Sequence, residues 1–542
     1  MQLVNKGAQD HLVTGSPSFT HFKSVYKRHT EFAMEHFRLD FRSTNLDLSA
    51  SIPKIFRTRV DRNAQLVHDM YIHVSLPNIF SSINPITKGL HPELAPDATA
   101  IGYEFQWVKN LGYNMIRSVS ILINGAAITT HSGEWMKIYS YLHHDSNKRK
   151  LIDKMIGNIP ELYDPANAFQ RNNQYPHSLQ GQPSILGRDL VIPLHFWFCE
   201  DIGHALPLVA LQYSEVEIVV EFATIYDLFT VKDVRDSSTT FGQRIKADPA
   251  SPEFNLAKFL SKPNLVGVPI NPSLVTWNLN PYVEANYIFL SDSEMIQLAK
   301  SDTSYKFRDV RSVQILNVYG GGNDLELGIH NLCTRVIWVG QRSDVGKNNN
   351  YDNYTNLYEN IPQKFFQAIT PWYSSGEVIT PNISSENIIV DGTIMLDGAE
   401  RFGTKTYDFF QYLQNYKHHT GLPIQGIFSY SFAIDHNTQP SGHLNGSMFN
   451  KTILRLNLQL PPISTQTVSS NTTGDCVVKS TALSNNPVPV RSSSIFGPDQ
   501  VVRTITKPVT QVYQYTYNIR AYIESYNFLR ITRGIANVVF SS

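Results

Sequence analysis

The stretch YVEANYIFL at positions 282–290 returns as YIESYNFL at positions 522–529. Each stretch is predicted to be a β-strand, and the final leucines, at positions 290 and 529, give an offset of 239 residues. A match of this length between distant parts of one chain indicates an internal repeat, which predicts further matching pairs at a similar offset.

Four further pairs occur in the same order along the chain, at offsets between 234 and 275. Asn124-Gly125 and Asp391-Gly392 are each predicted to form the two-residue turn of a tight β-hairpin. Since one pair of short β segments can match by chance but five ordered pairs rarely do, we predict two tandem domains of similar topology. The remaining pairs are Met70–Val74 with Thr334–Trp338, Tyr141–His144 with Tyr412–His419, and Phe196–Asp201 with Tyr430–Asp435.

Most of the chain has the pattern of β-strands, and helical periodicity is scarce. Residues 67–76 and 213–222 alternate apolar and polar side chains, as strands with one buried face do. Residues 16–29 are predicted to form a short amphipathic N-terminal helix, since Ser16 can cap it and Pro17 suits its first turn. The best internal helix candidates are Glu134–His144 and Asp292–Ser301.

The predicted fold class is all-β, with two tandem jelly-roll β-sandwiches, a short N-terminal helix and long loops. Copies of about 240–260 residues exceed an immunoglobulin-type sandwich, and two copies are too few for a propeller. The first copy is predicted to carry the longer insertion, near residues 145–190. The predicted domains are an N-terminal arm at 1–29, jelly roll 1 at 30–291, a linker helix at 292–302 and jelly roll 2 at 303–542.

The composition excludes several classes of protein. Of 542 residues, 46 are Lys or Arg and 46 are Asp or Glu, so a net charge of zero argues against binding nucleic acid through phosphate neutralisation. No run of about 18 apolar residues occurs, which predicts no transmembrane segment. The polar opening residues 1–10 predict no secretory signal, and three scattered cysteines suit a reducing compartment such as the cytosol. They are Cys199, Cys333 and Cys476.

No constellation of residues predicts an active site, so the expected catalytic, cofactor-binding and metal-ligating residues are none. Gly320–Asp324 lacks the ending of a phosphate-binding loop, and no GxSxG elbow is present. The pairs His143-His144 and His418-His419 are expected at a surface or interface, because adjacent side chains point apart and cannot easily share one metal. Four carboxylates, Glu200, Asp201, Glu215 and Glu217, remain formal candidates for glycoside chemistry.

Several long motifs resemble the major capsid proteins of nucleocytoplasmic large DNA viruses. The most specific are the opening Pro17–Glu35 and the segment Ala205–Ile218, and the resemblance spans about residues 7–540. Pro440–Asn445 and Tyr526–Gly534 are similar to the C-terminal signatures of that family. Asn445-Gly-Ser-Met448 departs from the family's Asn-x-Ser-Arg, with Met448 in the place of the arginine.

The resemblance implies a structural, non-enzymatic protein that forms homotrimers. Each trimer would be a pseudo-hexagonal capsomer of six sandwiches that tiles an icosahedral shell with neighbouring capsomers, above an internal viral membrane. The implied further partners are minor capsid and penton proteins, and host surfaces through the outer loops, without direct contact to nucleic acid. The implied location is the capsid of the virion, with assembly in the host cytoplasm.

Two alternatives stay open at this point. One is a non-capsid double-jelly-roll scaffold that shapes an assembling particle and is then discarded. The other is a carbohydrate-active or carbohydrate-binding β-sandwich protein, which would carry two opposed carboxylates or a calcium site in a cleft.

Overall fold

A computed structural model gives the architecture of the chain, and it is described here for residues 7, 10–18, 20–24, 26, 28–42, 53–81, 104–165, 183–232, 244–249, 256–260, 277, 279–356, 386–436, 439–459, 477–482, 501–506 and 515–540. Cys476 and most of the predicted outer loops at 78–99, 234–256 and 464–500 lie outside these residues.

Antiparallel strands dominate both halves of the chain. In the first half they are β1 (Phe32–Asp40), β2 (Lys54–Arg59), β3 (Leu66–Ser75), β4 (Glu104–Trp107), β5 (Ile116–Ile123), β6 (Ala126–Ser132), β7 (Asp189–Pro193), β8 (Leu206–Pro207), β9 (Val216–Phe222), β10 (Phe229–Lys232), β11 (Arg244–Lys246) and β12 (Tyr282–Leu290).

In the second half the described strands are β13 (Thr303–Val318), β14 (Gly321–Glu326), β15 (Leu332–Arg342), β16 (Ile389–Leu396), β17 (Ala399–Glu400), β18 (Lys405–Thr406), β19 (Ile427–Ser431), β20 (Leu444–Asn445), β21 (Thr452–Leu458), β22 (Val477–Ala482), β23 (Val501–Thr506), β24 (Tyr517–Thr532) and β25 (Ile535–Val538).

Helices are short and lie between strands. The α-helices are α1 (His11–Thr14), α2 (Leu111–Met115), α3 (Gly133–His143), α4 (Ser146–Ile156), α5 (Pro160–Tyr163), α6 (Leu256–Leu260), α7 (Asp292–Lys300) and α8 (Gln414–His418), and a π-helix (Phe409–Leu413) runs directly into α8. Single 3-10 turns occur at Trp197–Cys199, Ile202–His204, Ile225–Asp227, Val345–Lys347 and Gly446–Met448.

The two halves have the same sheet topology. The first half contains the sheets β1-β12-β3-β7 and β2-β9-β5-β6, and the second half contains β13-β24-β15-β19 and β14-β21-β16-β17. Each strand of these two sheets in one half thus has a counterpart at the same place in the other half. The prediction of a duplicated jelly-roll sandwich is confirmed, and the two repeated stretches of sequence that revealed it are β12 and β24. We call the halves the first and second sandwich.

The first sandwich carries the larger insertion, as predicted. Helices α4 and α5 lie between α3 and β7, whereas α8 in the second sandwich is followed within nine residues by β19. A smaller sheet, β11-β10-β4, is also added to the first sandwich. The two predicted internal helices are confirmed as α3 and α7, and α7 lies between the last strand of the first sandwich and the first strand of the second.

One of the two predicted hairpin turns is correct and the other is wrong. Asn124 and Gly125 join β5 to β6 with φ of 53° and 79°, as a type I′ turn requires. Asp391 and Gly392 instead lie inside β16, where a Cβ on Gly392 would approach Leu456 Cδ2 to 2.8 Å. Glycine is therefore present there for close packing. The turn is at Asp397 and Gly398, with φ of 49° and 85°.

The predicted N-terminal helix at 16–29 is also wrong. Helix α1 is a single turn that ends before Ser16, and the described residues of 16–29 are not helical. Ser16 adopts a left-handed φ of 55°, while Phe22 and Tyr26 are almost fully exposed. An isolated helix of this length is marginal in water, and the described residues of this segment are exposed, so packing does not stabilise a helix there.

We expect Gly398→Ala to lower the free energy of unfolding by about 1 kcal/mol, because alanine is strained at positive φ. Gly403→Ala is the matched control, since a Cβ meets no atom within 4 Å at either site and no positive φ occurs at Gly403. Chemical denaturation of both variants measures the difference. Equal stability of the two would contradict the placement of this turn.

Candidate functional site: the joint between the two sandwiches

Among the described residues, the largest group of buried charged side chains lies where α3 of the first sandwich packs on the outward face of the sheet β13-β24-β15-β19. We call this contact the joint. Helix α3 begins at the N-cap Ser132, whose side chain accepts a hydrogen bond from the backbone N–H of Trp135. The helix directly follows the β5–β6 hairpin, so the hairpin positions it against the second sandwich.

Glu524 of β24 is the centre of the joint and is fully buried. Arg335 of β15, also fully buried, donates to both carboxylate oxygens, from Nε at 2.7 Å and from Nη2 at 2.8 Å. From the other side, Trp135 of α3 donates its indole N–H to Glu524 Oε1 at 3.1 Å. Burial alone would raise the pKa of Glu524, but the cations Arg335 and Arg308 hold that pKa below its usual value.

Arg308 of β13 extends this group back to the first sandwich. Its Nη1 donates to Glu200 Oε1 at 2.8 Å, and its Nε lies 3.5 Å from Glu524 Oε2. Tyr139 of α3 donates its hydroxyl to the same oxygen of Glu200 at 3.0 Å. One arginine therefore links carboxylates of both sandwiches.

A second polar group surrounds Glu134 at the start of α3. Arg520 donates to its carboxylate, and the hydroxyls of Tyr522 and Tyr354 donate to it at 2.6 and 3.1 Å. Burial would raise the pKa of Glu134, but Arg520 lowers it below the usual value. All three partners belong to the second sandwich, so this carboxylate also holds the joint closed.

Lys137, one turn further along α3, is almost fully buried. Its ammonium group lies 2.5 Å from Asp352 Oδ1 and donates to the backbone carbonyl of Tyr351 at 3.1 Å. Asp352 also accepts from Asn110 of the first sandwich at 3.1 Å. A buried lysine requires such a partner, because an unpaired charge out of water is strongly unfavourable.

Apolar packing continues across the same contact. The core of the first sandwich includes Phe307, Ile337 and Tyr522 of the second, and the rings of Trp197 and Phe307 lie 5.3 Å apart. The backbone also joins the halves, since Gly421 donates to the carbonyl of Leu142 at 2.9 Å. The joint therefore has the character of an interior rather than of a transient surface contact.

One histidine of each pair, His143 and His419, lies in this joint; the pairs were expected at a surface or interface. The rings of His143 and His419 lie 6.1 Å apart, and His419 stacks on His436 at 5.2 Å. Arg335 donates from Nη1 to His419 Nε2 at 2.7 Å, which requires that nitrogen to be unprotonated. His418 points away and lies 2.8 Å, through Nδ1, from the carbonyl of Ile434. Among the described residues, no group of three or more His, Cys, Asp or Glu could hold a metal ion.

The four formal carboxylate candidates all make ion pairs. Glu200 belongs to the joint, and burial raises its pKa although Arg308 opposes the shift. Asp201 lies 3.1 Å from the ring of His204, while Glu215 and Glu217 pair with the exposed arginines Arg59 and Arg42. This arrangement gives these carboxylates structural partners.

The two described cysteines are free thiols set in apolar surroundings. Cys333 is fully buried in the core of the second sandwich, and Cys199 packs against the core of the first. Burial raises the pKa of both thiols, which disfavours the reactive thiolate.

Sequence reasoning missed the joint itself. Its partners are up to 389 residues apart, as between Trp135 and Glu524, and no spacing rule connects such positions. A signal existed in retrospect, because Arg335 and Glu524 are charges placed inside segments of strand-forming residues. Among the described helices, none is both long and apolar enough to cross a membrane.

Two family models match the chain one after the other. The model of the major capsid protein N-terminus matches residues 20–290, and that of the large eukaryotic DNA virus major capsid protein matches residues 322–489. A capsid protein of Acanthamoeba polyphaga mimivirus is 26% identical over 543 residues, which covers 87% of this chain and 95% of the relative. The major capsid protein of Phaeocystis pouchetii virus is 25% identical over 526 residues, covering 84% and 92%.

The fold is similar to that of a solved capsid protein. In the quasi-atomic model of the PBCV-1 virus capsid, the chain aligns with a TM-score of 0.61 at 19% identity, covering 96% of this chain and 100% of the other. The duplicated sandwich with its buried joint is thus a double jelly roll of the capsid type. The chain belongs to the major capsid proteins of large eukaryotic DNA viruses, and its place is the capsid of the virion.

We expect Glu524→Ala to destabilise the protein by about 3–5 kcal/mol, because Arg335 and Arg308 would stay buried without their shared counter-charge. Asp324→Ala is the matched control. Asp324 also makes two hydrogen bonds with one arginine, Arg455, at 2.8 and 2.9 Å, but both side chains are exposed. Its loss is expected to cost less than about 1 kcal/mol. Similar losses in chemical denaturation for the two variants would show that the joint is not critical.

We also expect acid to destabilise the joint. Burial, with the nearby cations, lowers the pKa of the histidines around it, to about 3 for His131 and about 4 for His144. The other histidines around the joint whose pKa is lowered are His143, His195, His419 and His436. The groups that face these six rings are Arg308, Arg335, Lys148, Arg149, Glu524, Asp145, Tyr113, Tyr139 and Ser431.

Where folding lowers the pKa of a histidine, the unfolded chain binds the proton more readily than the folded chain. The free energy of unfolding is therefore highest above the unfolded pKa of about 6.5, and it decreases as the pH falls from there toward the folded pKa. Each such histidine should cost about 1.4 kcal/mol per pH unit below 6.5. Denaturant unfolding between pH 7.5 and 5 measures this slope. His419→Gln should reduce the slope by about one proton. A free energy of unfolding that stays constant as the pH is lowered through this range would contradict the expectation.

Proposed function

We propose that the chain forms homotrimers, and that each trimer is a pseudo-hexagonal capsomer that tiles an icosahedral shell around an internal viral membrane. The observation that carries the proposal is the pair of sandwiches with equal strand order held by one buried joint. Two similar units per chain, repeated about a three-fold axis, give six similar units around a ring.

We further propose the domain limits predicted from the sequence. The arm comprises residues 1–29, the first jelly roll 30–291, the linker helix 292–302 and the second jelly roll 303–542. The sheets support these limits, because β12 pairs only with strands of the first half and β13 with β24 of the second. Helix α7, none of whose residues is buried, connects them.

The role proposed for the protein is mechanical, without catalysis. The carboxylates and histidines considered as candidate catalytic or metal-binding residues make structural contacts, several of them in the joint. Neighbouring capsomers, minor capsid proteins and penton proteins are the proposed partners, and assembly is proposed to occur in the host cytoplasm. Leu12, Phe22 and Tyr26 of the arm are 91%, 93% and 77% exposed, which suits an extended segment that binds such a partner. The outer loops are proposed to meet the host surface.

The oligomeric state tests this proposal. We expect native mass spectrometry of the purified chain to give three times the 61.4 kDa of one copy, and light scattering to give the same assembly in solution. Electron microscopy of purified mature particles should find the protein as the main shell component, in blocks with a pseudo-six-fold outline. A chain that stays monomeric under all conditions, or that is absent from mature particles, would contradict the proposal.

A further inference from the structure

The sheet face that carries Glu524 in the joint has a more exposed counterpart elsewhere on the chain. Glu524 lies in the segment Tyr-Ile-Glu of β24, and Glu284 lies in the matching segment Tyr-Val-Glu of β12. Both strands are second in sheets of equal order, and Glu284 pairs with Tyr71 of β3 as Glu524 pairs with Arg335 of β15. The two glutamates therefore occupy equivalent positions on the outward faces of equivalent sheets.

The two positions differ in what covers them. Glu524 is fully buried beneath Trp135 of α3, whereas the side chain of Glu284 is 33% exposed. Glu284 lies 2.9 Å from His73 Nε2 and 3.3 Å from His36 Nδ1, and Arg38 lies over the neighbouring Tyr282 ring at 4.2 Å. Met34, His36 and Arg38 follow one another at every second position of β1, so they share one face of the strand, and Met34 is exposed. We call this surface, centred on Glu284 and including Met34, His36, Arg38 and His73, the open face.

The helix that covers Glu524 also has a counterpart. Helix α3 follows the β5–β6 hairpin, and the π-helix with α8 follows the β16–β17 hairpin. Both helices end on the first histidine of a pair, His143 and His418. Tyr412, Leu413 and Tyr416 lie on the second of these helical segments, and Lys137, Ile138 and Tyr141 lie on α3.

The two helical segments again differ in burial. Lys137 and Ile138 are buried, with Lys137 directed to Asp352 of the second sandwich. Tyr412, Leu413 and Tyr416 are 55%, 40% and 86% exposed. An exposed apolar helix face with two tyrosines is typical of an interface, because tyrosine contributes both apolar area and a hydroxyl.

We propose that the face formed by Tyr412, Leu413 and Tyr416 of one copy packs on the open face of a second copy, in the way that α3 packs on the second sandwich within one chain. This inference rests on the proposed trimer and names the surfaces that form it. The contact joins two different surfaces, and each copy carries one of each. Three copies therefore close a ring in which three contacts between copies alternate with three joints within copies.

The chemistry of the two surfaces is complementary. Met34 is 59% exposed and offers apolar area to Leu413 and the tyrosine rings. Glu284, His36 and His73 offer acceptors and donors to the tyrosine hydroxyls. Arg38 offers a cation to an aromatic ring, as it already does to Tyr282.

Four variants of the full-length chain test the contact. Tyr412→Ser with Tyr416→Ser alters the helix face, and Met34→Lys alters the open face. The matched controls are Tyr319→Ser, which is 55% exposed like Tyr412, and Met448→Lys, which is 72% exposed. We expect either interface variant to raise the concentration of half-dissociation of the trimer at least about 30-fold, and each control to change it less than about 2-fold.

A mixture gives a sharper result. Each interface variant keeps one intact surface, so mixing the two should yield dimers of one copy of each that cannot close into a ring. Hydrogen exchange on the wild-type trimer, compared with its dissociated form, should show protection at 32–40 and 409–418, and this measurement does not depend on the variants folding. A wild-type trimer that both interface variants leave intact, without protection at these segments, would overturn this contact and keep the trimer. A wild-type chain that never trimerises would overturn the proposed function itself.

Discussion

The ion pair between Arg335 and Glu524 is the constraint on which the arrangement of the two sandwiches depends. Both side chains are fully buried, and each is satisfied by groups from the other half of the chain or from neighbouring strands. Removing charges from water costs several kcal/mol per ion, so such a pair is tolerated only when its geometry is good and its remaining hydrogen-bonding positions have partners. Trp135 and Arg308 are these further partners of Glu524. The position of α3 is therefore fixed by direction-dependent bonds as well as by apolar packing.

This chemistry explains why two similar sandwiches form one body rather than two loosely connected domains. Apolar surfaces alone would allow several relative orientations, because dispersion and the hydrophobic effect have little directionality. The groups around Glu524, Glu134 and Lys137 add three separate sets of directed bonds along one helix. A shift of α3 by one turn would leave several buried charges without partners. A particle built from many copies requires such a fixed angle between its units.

The sequence predicted the repeat well because a duplicated strand keeps its pattern of aromatic and β-branched residues. It misplaced one hairpin because Asp391-Gly392 resembles a turn, although Gly392 is required by the nearby Leu456 side chain and the turn falls six residues later. The arm at 16–29 has helical spacing of apolar residues, but Phe22 and Tyr26, which the structure describes, are exposed. The joint was beyond prediction since its partners, such as Glu134 and Arg520, come together only after both sheets have formed. The capsid family, in contrast, was evident from contiguous motifs such as Pro17–Glu35.

The longest pair of strands has a consequence for the dimensions of the particle. β13 and β24 are each 16 residues long and pair along almost their whole length. At about 3.4 Å per residue, an antiparallel pair of this length spans about 50 Å. Where such strands stand upright in a shell, their length sets a lower limit on the thickness of the wall. The mechanical stiffness of that wall then depends on backbone hydrogen bonds that run parallel to the surface, between neighbouring upright strands.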